Sequence, residues 1–119
     1  MLEVEHDGDI VILTPTQALD GFERLVARRR IDELLEAGST RLVLDLSRLR
    51  SLNSSGIGSL VAARHRADAA GGAVYLCCVN DTIRVALELM LLHQILPICA
   101  TRAEAVARAR DDVQGAGGG

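Results

Sequence analysis

The stretch RLVLDLSRLRSLNSSGIGSLVAARH, residues 41–65, contains the pattern that decides the fold. It begins with an apolar run from Arg41 to Leu46, which is typical of a strand buried on both faces. A polar loop follows, and Asn53 then stands in an N-cap position ahead of apolar residues at helical spacing. A second buried strand, Ala73–Val79, comes after this helix. Strand, helix and strand in this order predict a parallel crossover, and hence an α/β fold.

The flanking segments extend this unit on both sides. Val4–Glu5 and Ile10–Leu13 predict a β-hairpin, because Gly8 between them can adopt the positive φ of a tight turn. Apolar residues at helical spacing from Ala27 to Leu35 predict a first helix, which ends at Gly38.

The second half of the chain adds two more helices and one strand. Asn80 is placed to cap a third helix, Leu96–Cys99 predicts a short strand, and Thr101 opens a last helix with a capping-box pattern. We therefore expect one domain over residues 1–113, with a mixed four- to five-stranded sheet and about four helices. The Gly-rich stretch 114–119 is predicted to be a disordered tail.

Composition excludes several classes of function. All 13 basic residues are Arg, and the chain contains no Lys. A Walker-type phosphate loop and Schiff-base chemistry both need a lysine amine, so neither is expected. The net charge is −3, and Phe22 and Tyr75 are the only aromatic residues. Because nucleic-acid binding draws on phosphate neutralisation and base stacking, nucleic acid is not an expected partner.

The hydropathy pattern and the cysteines indicate the compartment. No secretory signal pattern is visible, and the most apolar window, Leu89–Ala100, is too short to span a bilayer. We expect a cytoplasmic protein without membrane insertion. Cys77, Cys78 and Cys99 lie in apolar runs, which predicts that they are small buried hydrophobic residues. We therefore expect a reducing compartment.

Neither a metal nor a cofactor is expected. Cys77 and Cys78 are neighbours on a predicted strand, so their side chains should point to opposite faces of the sheet. That arrangement argues against a shared metal site. The three histidines, His6, His65 and His93, also lack the short spacings of metal ligands.

Two adjacent hydroxyls, Ser54 and Ser55, stand at the predicted first turn of the central helix. A helix N-terminus has unpaired N–H groups and a partial positive charge, so it accommodates an anion. A phosphoryl group on Ser54 would add a charge of about −1.5 to −2 at little folding cost. Binding would weaken if an apolar partner had to cover that charge. The same residues alternatively form only a well-capped helix start.

These residues resemble the motif of a known family. In STAS domains of the anti-sigma factor antagonist type, a strand similar to Leu42–Ser47 is followed by a loop and a motif similar to Asn53–Gly58 at the start of a helix. Further similarities are Leu19–Asp20 before the first helix, Gly71–Gly72 before a strand, and Ile83–Leu89 in the third helix. The resemblance covers about residues 1 to 113 and implies a STAS-type α/β fold.

The resemblance implies partner switching and no enzymatic activity. The unphosphorylated antagonist is expected to bind an anti-sigma factor, itself a serine kinase of the histidine-kinase-like ATPase fold, and so to release a sigma factor. Phosphorylation at Ser54 would reverse this, with Ser55 as the second candidate, and a PP2C-type phosphatase would restore binding. The chain is expected to be a monomer. The implied partner-binding residues are Asp20, Asn53, Ser54, Ser55, Gly56 and Ile57.

The chain departs from the family pattern at two positions. Asn53 stands where the family usually has Asp, which keeps the capping geometry and removes a negative charge beside Ser54. Leu91 stands where many relatives have Gly, so Leu91 and Leu92 are predicted to form an exposed apolar patch. Asp45 is predicted to have a structural role at the end of its strand.

Two other functions are compatible with parts of the sequence. Ser54, His65 and Asp45 are the residue types of a hydrolytic triad, but His65 would lie about 15 Å along the helix from Ser54. The second alternative is another STAS role, as the accessory subunit of a lipid-transport ABC system or as a stress-signalling scaffold. Such a subunit needs a persistent apolar contact surface rather than a phosphoacceptor.

Overall fold

The computed structural model describes residues 2–16 and 21–118, with side chains at 2–16 and 25–111. The strands are β1 Leu2–Asp7, β2 Ile10–Pro15, β3 Arg41–Asp45, β4 Ala73–Cys77 and β5 Ile98–Cys99. The helices are α1 Gly21–Glu36, α2 Ser54–Ala69, α3 Asp81–Leu89 and α4 Arg102–Gly118, with one 3₁₀ turn at Leu92–Gln94. None of the described helices is long and apolar enough to cross a membrane.

The five strands form one mixed sheet in the order β1-β2-β3-β4-β5. β1 and β2 pair antiparallel through a turn at Gly8, whose φ is +61°, so the predicted hairpin is confirmed. β2, β3, β4 and β5 pair parallel. The predicted crossover from β3 through α2 to β4 is therefore confirmed, as is the predicted mixed α/β class.

Helices cover both faces of the sheet. Along β2, Val11 and Leu13 point to the face on which α1, α2 and α3 pack, while Ile10 and Ile12 point to α4. This alternation follows from the two-residue period of a strand. Because both faces are buried, each central strand has successive apolar residues, as at Ile10–Leu13 and Leu42–Leu44, in agreement with the predicted hydrophobic runs.

β4 ends two residues earlier than predicted, at Cys77 instead of Val79. Cys78 has a φ of +59°, in the left-handed region, so the alternation of side chains stops there. The prediction that Cys77 and Cys78 point to opposite faces is wrong, because both pack against the apolar cluster beneath α4.

The last helix, α4, spans Arg102–Gly118. The predicted capping of α4 is present, since the Glu104 N–H donates to Oγ1 of Thr101 at 3.1 Å.

Candidate functional site

Ser54 is the first residue of α2, and its side chain is exposed. The residue before it, Asn53, has extended backbone angles, and its side-chain oxygen accepts a 2.8 Å hydrogen bond from the N–H of Gly56. The carbonyl oxygen of Asn53 accepts the first helical bond, from Ile57 at 3.0 Å. The predicted N-cap is therefore confirmed, and it places the Ser54 hydroxyl at the positive end of the helix.

The other motif residues lie deeper in the fold than Ser54. Ser55 is half-buried, and its carbonyl oxygen accepts a 3.1 Å hydrogen bond from the hydroxyl of Ser59. Gly56 is buried and Ile57 is half-buried. Of the two adjacent serines, Ser54 is the more exposed.

The loop between β3 and α2 is held from the side by Asn80. The side-chain Nδ2 of Asn80 donates to the carbonyl oxygens of Leu49 at 3.2 Å and of Arg50 at 2.9 Å. Its Oδ1 accepts from the N–H of Ile83 at 2.8 Å and so caps α3. The cap was predicted from the sequence, whereas the contact with the loop was not. One side chain thus connects the start of α3 with the loop that leads to Ser54.

A small apolar crevice lies between the start of α2 and α3, and its residue Ile57 follows Ser54 by three positions on the same face of α2. It has a volume of about 60 Å³ and is formed by the loop at Leu52, the first turn of α2 at Ile57, and α3 at Thr82 and Ala86. Because these side chains are only partly covered by the chain itself, they add apolar contact area next to the exposed hydroxyl.

Asp45, at the end of β3, is buried on the opposite face of the sheet. Its Oδ1 accepts from the N–H of Ser47 at 2.9 Å, and its Oδ2 accepts from Arg102, with Nη2 at 2.8 Å. Arg102 also donates to Glu5 at 2.6 Å and to Thr14 at 3.3 Å. Burial by itself raises the pKa of Asp45, but the hydrogen bonds from Ser47 and Arg102 outweigh it and hold that pKa below its ordinary value.

Asp45 consequently has the structural position predicted for it. Its contact with Ser47 fixes the first turn of the loop that follows β3, and Arg102 ties that turn to the start of α4. No sequence signal points to Arg102, because it lies 57 residues from Asp45 along the chain.

A cluster of exposed apolar side chains surrounds the end of α3. Val85, Leu89, Met90 and Leu91 are all exposed, Leu89 to 79%. Leu91 has a φ of +58°, which explains why a glycine suits this position in the resembling family. The prediction of exposure is confirmed for Leu91, whereas Leu92 is half-buried.

The remaining predicted residues are either outside the described region or apart from the site. Asp20 lies outside the described residues. His65 is exposed on α2, 11 residues after Ser54, and the helical rise separates the two by about 16 Å. Asp45 lies on the α4 side of the sheet. The three residues of the hypothetical hydrolytic triad are therefore not brought together.

Comparisons with known proteins identify the family to which this fold belongs. Residues 1–105 match the family model of the STAS domain. The anti-sigma F factor antagonist of Paenibacillus polymyxa is 28% identical over 98 residues, which cover 82% of this chain and 84% of that protein.

Two solved structures extend these comparisons. The crystal structure of a Thermotoga maritima protein assigned as an anti-sigma factor antagonist is 29% identical, with a TM-score of 0.83, covering 92% of this chain and 94% of that one. Phosphorylated SpoIIAA from Bacillus is 23% identical, with a TM-score of 0.72, covering 91% of this chain and 98% of that one. At this identity, the likeness to SpoIIAA shows a shared fold. The chain is thus a member of the STAS domain family.

Proposed function

We propose that this chain is an antagonist that switches partners under the control of phosphorylation at Ser54. In its unphosphorylated form it binds an anti-sigma factor that is also a serine kinase of the histidine-kinase-like ATPase fold, and a sigma factor is released. Phosphorylation of Ser54 dissociates this complex, and a PP2C-type phosphatase restores it. The observation that carries the proposal is the exposed Ser54 hydroxyl at the capped start of α2.

The helix start suits a phosphoryl group for a physical reason. Asn53 already binds the N–H of Gly56, whereas the N–H groups of Ser54 and Ser55 have no carbonyl one turn earlier within α2. A phosphoryl group on the Ser54 oxygen brings a charge of about −1.5 to −2 to this positive helix end. Phosphorylation therefore changes the surface charge strongly and the folded structure little.

The surroundings of Ser54 explain how this charge acts as a switch. Leu52, Ile57 and Ala86 expose apolar surface beside the hydroxyl, and this surface suits a partner that covers the helix end. Covering a phosphoserine there requires removal of water from its charge. A penalty of about 3 kcal/mol would weaken binding about a hundredfold.

The relatives support the same assignment. The Paenibacillus polymyxa relative is named an anti-sigma F factor antagonist. SpoIIAA, which shares the fold, has been solved in both phosphorylated and unphosphorylated forms. Asn53 departs from the usual acidic residue of the family, but its side-chain oxygen keeps the capping bond.

The decisive experiment combines mass spectrometry with binding. The chain is incubated with Mg-ATP and anti-sigma factor kinases of its source organism, and intact mass is followed for wild type, Ser54→Ala and Ser55→Ala. We expect one phosphoryl group on wild type and on Ser55→Ala, and none on Ser54→Ala. Ser54→Asp should bind the kinase at least about tenfold more weakly than Ser54→Ala, because it places a charge in the interface. Equal affinity of Ser54→Asp and Ser54→Ala would contradict the proposal.

The exposed apolar cluster at the end of α3 favours one alternative role, as an accessory subunit or scaffold with a persistent contact surface. Leu89→Ser separates the two. In the alternative role, Leu89→Ser abolishes partner binding whereas Ser54→Asp has no effect. If the chain switches partners, Ser54→Asp weakens partner binding more than Leu89→Ser does.

A further inference from the structure

Three potential metal ligands lie together on the α4 face of the sheet. The carboxylate of Asp45 and the thiols of Cys77 and Cys78 have ligand atoms that all lie within 4.8 Å of one another. Asp45 and Cys77 are paired residues at the ends of the neighbouring parallel strands β3 and β4, so their side chains share a face. These residues are buried, except that Cys78 is half-exposed.

The backbone at Cys78 brings the third ligand to this face. A regular strand would direct the Cys78 side chain to the opposite side of the sheet. Its positive φ, +59°, turns the chain at the end of β4, and its thiol then lies within 4.8 Å of that of Cys77. The adjacent pair thus becomes a chelating dithiol.

We propose that Asp45, Cys77 and Cys78 form a binding site for a divalent thiophilic cation, with Zn²⁺ as the physiological candidate. Thiolate sulfur and carboxylate oxygen are both ligands that Zn²⁺ takes in proteins, and a water molecule can complete a tetrahedral site on the partly exposed side of Cys78. In such a site the ligand atoms lie about 3.3 to 3.8 Å apart. The side chains therefore have to approach one another by up to about 1.5 Å.

Charge balance favours a divalent ion. With both thiols protonated, the carboxylate of Asp45 is neutralised by Arg102, whose Nη2 lies 2.8 Å from Oδ2. When Zn²⁺ binds, it displaces one proton from each thiol, and the two protons pass to solvent. Two new thiolates then balance the two charges of the ion, so the net charge of the cluster does not change. A monovalent copper ion would leave one uncompensated negative charge.

Arg102 does not block this site. Its guanidinium also binds Glu5 through Nη1 at 2.6 Å, so it keeps an acidic partner if Asp45 turns one oxygen towards the metal. Hydrogen bonds to a ligating carboxylate commonly orient it towards the metal. Asp45 accepts such bonds from Arg102 and from the N–H of Ser47.

The position of the site couples it to the phosphoacceptor loop. The carbonyl oxygen of Cys77 accepts a 3.0 Å hydrogen bond from the N–H of Leu46, and Asp45 accepts from Ser47. Both donors are the first residues of the loop that leads to Ser54. A bound metal would therefore stiffen the start of this loop.

The test is calorimetric titration of the reduced, metal-free full chain with Zn²⁺ in two buffers that differ in protonation enthalpy. We expect one Zn²⁺ per chain and release of about two protons per ion. Titration with Cd²⁺ should produce the ultraviolet absorption of cadmium–thiolate bonds. Zinc should also raise the thermal unfolding midpoint. No binding, or binding without proton release, would overturn the proposal.

Three variants locate the site. Cys78→Ser is the main one, because Cys78 is half-exposed and its replacement disturbs the core least. We expect Cys78→Ser and Asp45→Asn each to weaken Zn²⁺ binding at least about tenfold. The matched control is Cys99→Ser, whose thiol lies outside the cluster and contacts Arg108 at 3.9 Å. Unchanged binding in Cys78→Ser, or a larger loss in Cys99→Ser, would place any bound zinc elsewhere and contradict the assignment.

Discussion

The side-chain amide of Asn80 donates a 2.9 Å hydrogen bond to the carbonyl oxygen of Arg50, across a sequence separation of 30 residues. The same side chain caps α3 through its oxygen. One residue therefore fixes the position of the start of α3 relative to the loop before Ser54. A change at this residue affects both the start of α3 and the loop that leads to Ser54.

Replacement of Asn80 by Asp separates its two contacts. A carboxylate keeps the acceptor that caps α3, but it cannot donate to the carbonyl oxygens of Leu49 and Arg50. We expect Asn80→Asp to lower the free energy of unfolding by about 1 to 2 kcal/mol, as measured by urea denaturation.

Asn53 provides the matched control for this experiment, because its side chain also caps a helix and is placed to accept only. Asn53→Asp keeps that acceptor and should change stability by less than about 0.5 kcal/mol. Equal losses in the two Asp variants would mean that the donated bonds of Asn80 contribute nothing.

The ion pair between the buried Asp45 and the partly exposed Arg102 predicts an acid-sensitive contribution to stability. Because the folded state lowers the pKa of Asp45 below 3.8, its contribution is complete above that pH and is lost as the pH falls through the lower, folded value. At pH 7 we expect Asp45→Asn to lower the free energy of unfolding by about 2 kcal/mol. The difference from wild type should shrink at acid pH.

Asp68→Asn is the control for the pH series. Asp68 pairs with Arg64 on the surface of α2 at 2.8 Å, so its loss should cost only about 0.5 kcal/mol. Urea denaturation of all three proteins between pH 7 and pH 3 measures both effects. If the difference in free energy of unfolding between wild type and Asp45→Asn is the same at every pH in this range, the ion pair makes no pH-dependent contribution and the prediction is refuted.

Gly72 marks the closest approach of two backbone segments. A Cβ atom at this position would collide with the carbonyl oxygen of Thr40 and lie 2.6 Å from its Cβ. Thr40 O also accepts the N–H of Ala73 at 3.0 Å, so the two segments cannot separate without loss of that bond. We expect Gly72→Ala to lower the free energy of unfolding by about 3 kcal/mol.

Gly58→Ala is the opposite case, because an added Cβ at Gly58 meets nothing within 4 Å. Gly58 lies inside α2, where alanine is favoured by about 1 kcal/mol, so this variant should be more stable than wild type. Thermal unfolding of both variants tests the pair. If Gly72→Ala is as stable as wild type, the Thr40 segment can move away from the added methyl group without cost, and the prediction is wrong.

Much of the fold follows from patterns that extend over a few residues. The caps at Asn53 and Asn80, the hairpin turn at Gly8 and the parallel crossover were predicted, and the structure confirms them. Each depends on hydrogen bonds between near neighbours or on the period of a strand or helix. The exposed position of Leu91 likewise follows from the family pattern.

The sequence by itself therefore determined the elements, their order and the place of Ser54 at a helix start, because these depend on local hydrogen bonding and on hydrophobic periodicity. Only the tertiary structure decided which distant groups meet: Arg102 with Asp45, Asn80 with Arg50, and Cys78 on the same face as Cys77. The first two contacts join different elements. The third arises where a strand ends in a left-handed residue, so that packing against the sheet overrides the alternation of side chains.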